Sequence, residues 1–462
     1  MIPGGRRLVA FAASALARAT ALALGLAFVL PSAVAAHTLN ATYTSRLPLA
    51  VYLVGAATTV ALSFAFVIVR DVRAAPPAAE EATGSLPPIW VRFPLRAVGF
   101  IAWAWIMVQG IAGGTSDGDV ATLFLWVYGW VGLAILSAVI GPVWQFLDPF
   151  STLHDIGAAV LERSHLKGWA AADYPEALGR WPAVIGFGFF VWLELVVQAG
   201  PATLFIVLVG YSAFTLAMMA QFGRDEWRSQ GETFTVWFRL LGRLAPWALV
   251  DEEGRVRARA FGSGLLERGW SPADVTLVAL AVSSIIFDGL SQTETFFGLF
   301  GAPGLAEKTL LLFGFLGIIV VAAFAVSRAV GLDATGAGLL PIAVGYLIAH
   351  YLTYLLIDGQ RILVAISDPL QKGWDLFGTA FHTPSGAFLP PGVVWTIQLA
   401  AVVGGHMLGA WSGHVVATMD APPGISASAL RRRQVPLAVV MVALTTLTLW
   451  SLGQAIIVTP PA

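Results

Sequence analysis

The chain has 462 residues, of which 57% are hydrophobic and 11% are charged, and its mean hydropathy is +0.78. This composition is typical of a polytopic membrane protein and excludes an ordinary soluble domain. The net charge of -1 gives no indication of a nucleic-acid partner. Cysteine is absent, which excludes disulfides, thiolate metal sites and a cysteine nucleophile. Any metal ion would need His, carboxylate, amide or backbone ligands.

Residues 1–36 have the pattern of a secretory signal peptide. A basic start and an apolar run ending in ATALALGLAFVL precede SAVAA, whose small residues suit signal peptidase. Cleavage after Ala36 would make His37 the mature N-terminus, where its α-amine and imidazole could bind one metal ion. Cleavage after Ala35 would make Ala36 the mature N-terminus, and His37 would then have no free α-amine. The alternatives are an uncleaved first span and a His37 that is only the first loop residue.

Ten apolar segments of about 20 residues follow, which is the length that crosses a bilayer as a helix. Strand periodicity is absent, and lipid admits only helices or closed barrels. We therefore expect an all-α transmembrane bundle that forms one domain over residues 37–462. The predicted spans are 47–69, 95–114, 119–141, 182–199, 201–221, 273–291, 309–330, 339–367, 393–417 and 435–457.

Basic residues predict which side of the membrane each loop faces. With the mature N-terminus outside, 19 of the 26 basic residues lie in loops on the inner side, as the positive-inside rule requires. We therefore expect both termini on the outer side of the membrane. Two inner segments, 148–181 and 222–272, mix charges with Trp and Phe as interfacial helices do. The outer loop 368–392 is either a lid over an outer pocket or an ordered surface loop.

Polar side chains recur at four-residue spacing in the apolar stretch from 339 to 369. On a helix they form one stripe, which would be costly against lipid and therefore faces protein or a water-filled cavity. An ionisable residue in such a place indicates a functional site. The four residues are Tyr346, His350, Tyr354 and Asp358.

Ionisable residues of several spans converge at one depth in the outer half, the side on which His37 would emerge. Two His and three carboxylates suit zinc, copper or manganese, and two acidic groups could bridge a pair of ions. The same set could relay protons. No zinc signature such as H-E-x-x-H is present, so the metal interpretation depends on this convergence. The converging residues are Glu194, Asp288, His350, Asp358 and His406.

Gly405, Gly409 and Gly413 form a small-residue face on the predicted span 393–417. Such a face lets another helix approach closely, and we assign it to packing. The approach would also bring His406 close to neighbouring helices.

Several strings of this sequence resemble bacterial polytopic membrane proteins labelled fenitrothion hydrolase. They are FDGLSQT, HYLTYLLIDGQRILVAISDPLQKGWDLFGTA and GHMLGAWSGH, together with a signal that ends directly before a His. The resemblance covers most of the mature chain, although family members begin HGL where this chain has His37, Thr38 and Leu39. It implies hydrolysis of an organophosphorus triester, a lipophilic small molecule that could enter from the bilayer or the periplasm.

The resemblance, combined with the polar residues, suggests a role for each candidate. A divalent metal ion, zinc or copper, would activate water and polarise the phosphoryl oxygen. Metal ligands would be His37, His350, His406 and Asp288. Asp288 or Asp358 would act as general base. Glu194 would not bind the metal itself but would hydrogen-bond to one of the metal ligands and orient it.

Three other classes of function stay open. An N-terminal amine plus imidazoles suits Cu(II), which would indicate copper handling or a membrane oxygenase. A proton-coupled transporter would also place carboxylates and His residues in its spans, but the polar groups here crowd the outer half. A scaffold or assembly role would require a partner subunit in the membrane.

Overall fold

The computed structural model describes residues 53–55, 57–63, 84–114, 118–163 and 172–452. The predicted signal peptide and His37 lie outside these residues. The protein is an all-α polytopic helical bundle, which confirms the predicted fold class. In the part of the chain that is described, eight helices are long and apolar enough to cross a membrane. Two shorter apolar helices coincide with two further predicted spans, 47–69 and 182–199.

The helices follow one another with short connections, and several end where a predicted span ends. The first nine are α1 (Leu53–Ser63), α2 (Ile89–Ala112), α3 (Val120–Val139), α4 (Trp144–Leu147), α5 (Pro149–Arg163), α6 (Trp181–Val197), α7 (Pro201–Phe222), α8 (Arg224–Gln230) and α9 (Thr233–Leu241). Strands β1 (Trp247–Leu249) and β2 (Val256–Ala258) come next, before a 3₁₀ turn at Ser263–Leu266. The others are α10 (Pro272–Ser291), α11 (Glu294–Phe300), α12 (Leu305–Val330), α13 (Leu332–Asp358), α14 (Ile362–Ser367), α15 (Pro391–Met419) and α16 (Ala427–Leu452).

The chain forms two compact units, each built from separate parts of the sequence. The predicted single domain over 37–462 stays a prediction. Unit 1 holds the described residues before position 79, residues 265–350 and those from 389 onward. Unit 2 holds residues 79–264 and 351–388. Helix α13 therefore contributes its residues up to His350 to unit 1 and those from Tyr351 to unit 2.

Helix α10 is the central helix of unit 1, and almost all of its residues are buried. Its start is fixed by a capping box, in which the Ser271 hydroxyl accepts from the Asp274 amide and the Asp274 carboxylate accepts from the Ser271 amide. Pro272 occupies the first helical position, where its missing N–H costs nothing. Helices α12 and α16 pack against it. A helix that is apolar on all sides is buried in this way because every face needs a protein or lipid partner.

Helices α13 and α15 approach so closely that glycine is required at their contacts. A Cβ at Gly345 would lie 2.3 Å from the carbonyl oxygen of Ala401, and a Cβ at Gly409 would lie 2.3 Å from that of Gly338. Both obstacles are backbone atoms of a neighbouring helix, which cannot move aside as a side chain can. The predicted glycine face of α15 is thereby confirmed as a packing surface.

Unit 2 has an aromatic core around Trp130, which lies in a π-helical stretch of α3, Leu123–Leu133. Its ring centroid is 5.4 to 6.4 Å from the centroids of four other rings, in tilted and edge-to-face arrangements that aromatic pairs favour. These rings belong to Phe187, Phe190, Trp237 and Tyr351. The core joins α3, α6 and α9 to the last part of α13.

Helix α9 lies in the segment 222–272, whose predicted interfacial position stays a prediction. Most of its side chains are buried, including Trp237, Phe238 and Leu241. Protein contacts cover its polar side as well, since Thr235 is buried and Arg239 pairs with Glu252. Helix α5, in contrast, keeps exposed apolar residues at Ile156 and Val160, as an amphipathic helix does.

Strands β1 and β2 form a small antiparallel hairpin that the sequence does not predict. Ser85 forms a further bridge to Val256 of this hairpin. The strands have three residues each, which is too short for a period of two to be recognised.

The loop between α14 and α15 is held by its own polar groups. The Ser367 hydroxyl accepts from the amides of Phe377 and Thr379, and the Asp368 carboxylate accepts from those of Lys372 and Gly373. These bonds fit the ordered surface loop that the sequence allows. Its action as a lid stays a prediction.

Candidate functional site

Asp288 and His350 form a hydrogen-bonded pair inside unit 1. The Nε2 atom of His350 lies 2.9 Å from Oδ2 of Asp288, and the two side chains are only 13% and 14% exposed. Asp288 is on α10 and His350 is on α13, so the pair joins the central helix to its neighbour. Sequence analysis singled out both residues, and the structure brings them together.

Gly289, next to Asp288, lets the surrounding side chains approach α10. A Cβ at this position would lie 3.2 Å from Oη of Tyr346, 3.3 Å from Oγ of Ser451 and 3.4 Å from Cε1 of His350. Tyr346 is fully buried, shares a hydrogen bond of 2.7 Å with Ser451, and places its ring edge-to-face with His350. The pair is thus bordered by a second polar contact that reaches α16.

Asp288 has two further polar neighbours. Gln292, one turn along α10, donates a hydrogen bond of 2.7 Å from Nε2 to Oδ1 of Asp288. The ammonium group of Lys308, on α12, is attracted electrostatically to the same carboxylate. The Asp288 carboxylate thus interacts with an imidazole, an amide and, electrostatically, a cation.

His406 is buried on α15 and is only 1% exposed. Its Nδ1–H donates to the carbonyl oxygen of Val402 at 2.8 Å, which fixes the tautomer and leaves the lone pair on Nε2. Within the described residues Nε2 has no hydrogen-bond partner. Sequence analysis placed His406 with the pair as a metal ligand. The structure satisfies its Nδ1 within its own helix, and the role of His406 as a metal ligand through Nε2 stays a prediction.

Asp358 and Glu194 belong to unit 2, and His37 lies outside the described residues. Asp358 ends α13, is one-third exposed, and accepts a hydrogen bond of 3.3 Å from Nε of Arg361 three residues later. Glu194 lies in the π-helical end of α6, Leu193–Val197, after which Gln198 adopts a left-handed conformation with φ of 51°. Extra residues in a helical turn of this kind are frequent at functional sites.

The donor groups of the described residues do not complete a metal site. Across the ranges that the structure describes, no group of three or more His, Asp or Glu side chains lies close enough to hold one ion. Catalytic zinc sites use three protein ligands, whereas the Asp288–His350 pair supplies two. The described residues alone therefore do not support a reaction step on a metal ion.

Unit 2 contains a buried polar network that sequence analysis missed. Nε of Arg228 lies 3.0 Å from Oδ2 of Asp148, and both side chains are almost completely buried. The Glu232 carboxylate caps α9 by accepting from the amides of Phe234 and Thr235. Burial raises the pKa of Glu232, and the nearby Asp148 adds to this effect. An Asp or Glu directly before a helical pattern is the sequence signal that could have located these caps.

These contacts indicate that the network stabilises the fold, since each carboxylate either caps the start of a helix or pairs with an arginine. The Asp288–His350 pair has no such capping role. It is therefore the candidate functional site of the described chain. Comparison with protein-family models, with curated proteins and with solved structures finds no match for this chain.

Proposed function

We propose that this protein is a membrane-embedded hydrolase whose water-activating group is the Asp288–His350 pair. The observation that supports this proposal is the bond of 2.9 Å between Oδ2 of Asp288 and Nε2 of His350. A carboxylate bonded to one ring nitrogen orients an imidazole and makes it more basic. Such an imidazole is suited to take a proton from water.

The proposed reaction is hydrolysis of an organophosphorus triester. The oxygen of water forms a bond to phosphorus, and the bond from phosphorus to the leaving oxygen breaks. His350 takes the proton of the attacking water and returns it to the leaving oxygen. Lys308, which interacts electrostatically with Asp288, would offset the charge that develops on the phosphoryl oxygen.

The substrate class is inferred from the resemblance to proteins labelled fenitrothion hydrolase. The burial of the pair between α10 and α13 supports a lipophilic substrate, because both helices are apolar enough to lie in a bilayer. A zinc or copper ion would need donors beyond the described residues, and a mature N-terminal His37 would provide two.

The proposed location is a bacterial cytoplasmic membrane, with the mature N-terminus outside. Charged contacts at one end of unit 1 support this orientation, since Arg268 pairs with Asp420 at 2.8 Å and Arg433 donates to the carbonyl of Ala329. This end would be the inner one by the positive-inside rule. Reporter fusions after Arg268 and after Pro461 test it, and an outside location for the first would overturn it.

The decisive experiment is hydrolysis by the purified protein in lipid nanodiscs. An aryl dialkyl phosphorothioate would be supplied, and the released phenol would be measured. We expect Asp288→Asn and His350→Ala to lose about 100-fold or more in rate, the usual contribution of a general base. His382→Ala is the matched control, because His382 bonds Gln360 in the loop of unit 2. A wild-type protein that releases no phenol would contradict the proposal.

Elemental analysis with N-terminal sequencing tests the metal. One or two ions per chain starting at His37 would support a metal-assisted hydrolase, and redox-active copper would favour an oxygenase. A metal-free protein that still hydrolyses the triester would assign water activation to the Asp288–His350 pair alone.

A proton-coupled carrier is the second candidate, favoured by one observation. Nδ1 of His414 lies 2.7 Å from Oε1 of Gln434, and this buried contact between α15 and α16 extends the polar side chains of unit 1 away from the Asp288–His350 pair. A carrier needs such groups along its whole path. Solute accumulation in proteoliposomes that a protonophore abolishes would favour it over the hydrolase.

A further inference from the structure

Two buried polar atoms of unit 1 have no hydrogen-bond partner within the described residues. They are Nε2 of His406, on α15, and Oγ1 of Thr448, on α16, which belong to a larger set of such atoms in this unit. Both residues are inaccessible to solvent. Leaving such groups unsatisfied costs about 1–3 kcal/mol each, so native proteins almost always provide a partner or an ordered water.

Thr448 differs from the threonines beside it. The hydroxyl of Thr445 donates to the carbonyl of Met441 at 2.8 Å, and that of Thr446 donates to Val442 at 2.9 Å. This bond within the helix is the usual way for a buried threonine to be satisfied. The Thr448 hydroxyl makes no such bond, and it is therefore available to a group outside its own helix.

The packing of α15 on α16, extended by helix geometry, brings the backbone positions of these two residues within about one turn of each other in depth. The helices are antiparallel, because Gly413 contacts Leu437 while the earlier Gly409 contacts the later Met441. His406 is two turns before Gly413, and Thr448 is three turns after Leu437, so both remain on the contacting faces.

The side chain of His406 reduces the difference in depth between the two residues. The backbone positions are about 10 Å and about 16 Å from the Gly413–Leu437 contact, at 1.5 Å per residue. The bond from Nδ1 of His406 to the carbonyl oxygen of Val402 inclines the ring towards the start of α15, and therefore towards the depth of Thr448.

We propose that water molecules bind between His406 and Thr448 and bridge the two side chains. Water can donate to the lone pair of Nε2 and can both donate to and accept from Oγ1. Buried polar groups without a protein partner are typical binding positions for ordered water molecules. A metal ion fits less well, because one imidazole and one neutral hydroxyl are too few donors.

The water site is connected with the candidate functional site. The Ser451 hydroxyl, one turn from Thr448, donates to the Thr448 carbonyl at 3.0 Å and shares a bond of 2.7 Å with Tyr346. Tyr346 contacts His350. A role in supplying water or removing protons from the Asp288–His350 pair rests on the proposed function, whereas the existence of the water site does not.

The test is solid-state NMR of the full chain in nanodiscs, with ¹⁵N-labelled histidine and polarisation transferred from water. The His406 signals would be assigned by their loss in His406→Gln. In the wild-type protein we expect rapid transfer from water to the His406 ring and an Nε2 shift typical of a hydrogen-bonded acceptor. A ring that receives no polarisation from water would overturn the proposal without any variant.

A pair of variants locates the water. Thr448→Val keeps the shape of the side chain and removes the hydroxyl, and we expect it to reduce the transfer to His406 at least threefold. Thr445→Val is the matched control, because its hydroxyl is satisfied within α16, and it should leave the transfer unchanged. The same polarisation transfer to His406 in Thr448→Val and in Thr445→Val would mean that the water does not bind at Thr448, and it would contradict the proposal. If water reaches His406 but the protein has no hydrolase activity, the water site is supported and the proposed function is contradicted.

Discussion

Gly405 of α15 lies directly against the carbonyl oxygen of Pro341 in α13, and a Cβ at position 405 would be 2.5 Å from that oxygen. Neither group can move aside as a side chain can, because each belongs to the backbone of a helix. This contact sets the distance between two helices of unit 1, one of which carries His350 and the other His406.

We therefore expect Gly405→Ala to destabilise the protein by about 1–3 kcal/mol, the usual cost of overpacking. Gly404 is the control, since a Cβ there would meet nothing within 4 Å. Gly404→Ala should be neutral or slightly stabilising because alanine favours helix more than glycine does. Thermal unfolding in one detergent measures both, and equal melting temperatures would show that α13 and α15 separate easily.

The Asp288–His350 bond predicts energetic coupling between the two residues. In a double-mutant cycle of Asp288→Asn and His350→Ala, the second substitution should cost less after the first, with a coupling of about 0.5–3 kcal/mol. Asp288→Asn combined with His382→Ala is the additive control, because His382 has Gln360 as its partner. Denaturant unfolding in mixed micelles measures the four stabilities. Additivity in both cycles would mean that the 2.9 Å contact contributes nothing.

The sequence predicts the members of the Asp288–His350 pair but not the pair itself. An ionisable residue in an apolar span is rare enough to be conspicuous, and both residues were found for that reason. Their contact depends on the distance between α10 and α13, which is set by Gly289 and by the other small residues at the helix contacts. Spacing along one helix carries no information on that distance.

Asp358 and Thr448 also show that the sequence does not reveal which partner a polar side chain has in the folded protein. Asp358 was predicted from its place on a helical stripe, but Arg361 on the following turn provides a local partner for its carboxylate. Thr448 was not predicted, because in the sequence it cannot be told from Thr445 or Thr446. Only the hydrogen bonds of the folded helix separate them.

The buried ion pair between Asp148 and Arg228 predicts a large effect of removing one partner. Arg228→Met would leave the Asp148 charge buried without its cation, and we expect a loss of about 3–5 kcal/mol. Arg255→Met is the control, because Arg255 is 46% exposed and its pairing with Asp251 should contribute about 0–1 kcal/mol. Thermal unfolding of the two variants decides this prediction. A similar small loss in both would show that water reaches Asp148.

Asp155 predicts how the stability of unit 2 depends on pH. Burial by itself disfavours the charged carboxylate, but the neighbouring His154 and the hydrogen bonds from Arg96 and Arg224 outweigh burial and lower the pKa of Asp155 below its usual range. The folded state thus binds a proton on this group more weakly than the unfolded state, whose pKa is about 3.9. The stabilisation is complete above that value and is lost as the pH falls towards the lower folded pKa.

We therefore expect Asp155→Asn to lower stability at neutral pH by no more than about 1 kcal/mol, since Asp155 is one-third exposed and solvent screens its charge. The difference between wild type and variant should stay constant from pH 7 to pH 5 and should shrink below about pH 4. Unfolding curves of both proteins across this range measure it. A difference that grew on acidification would mean that the carboxylate is stabilised in its protonated form and that the arginines do not hold it.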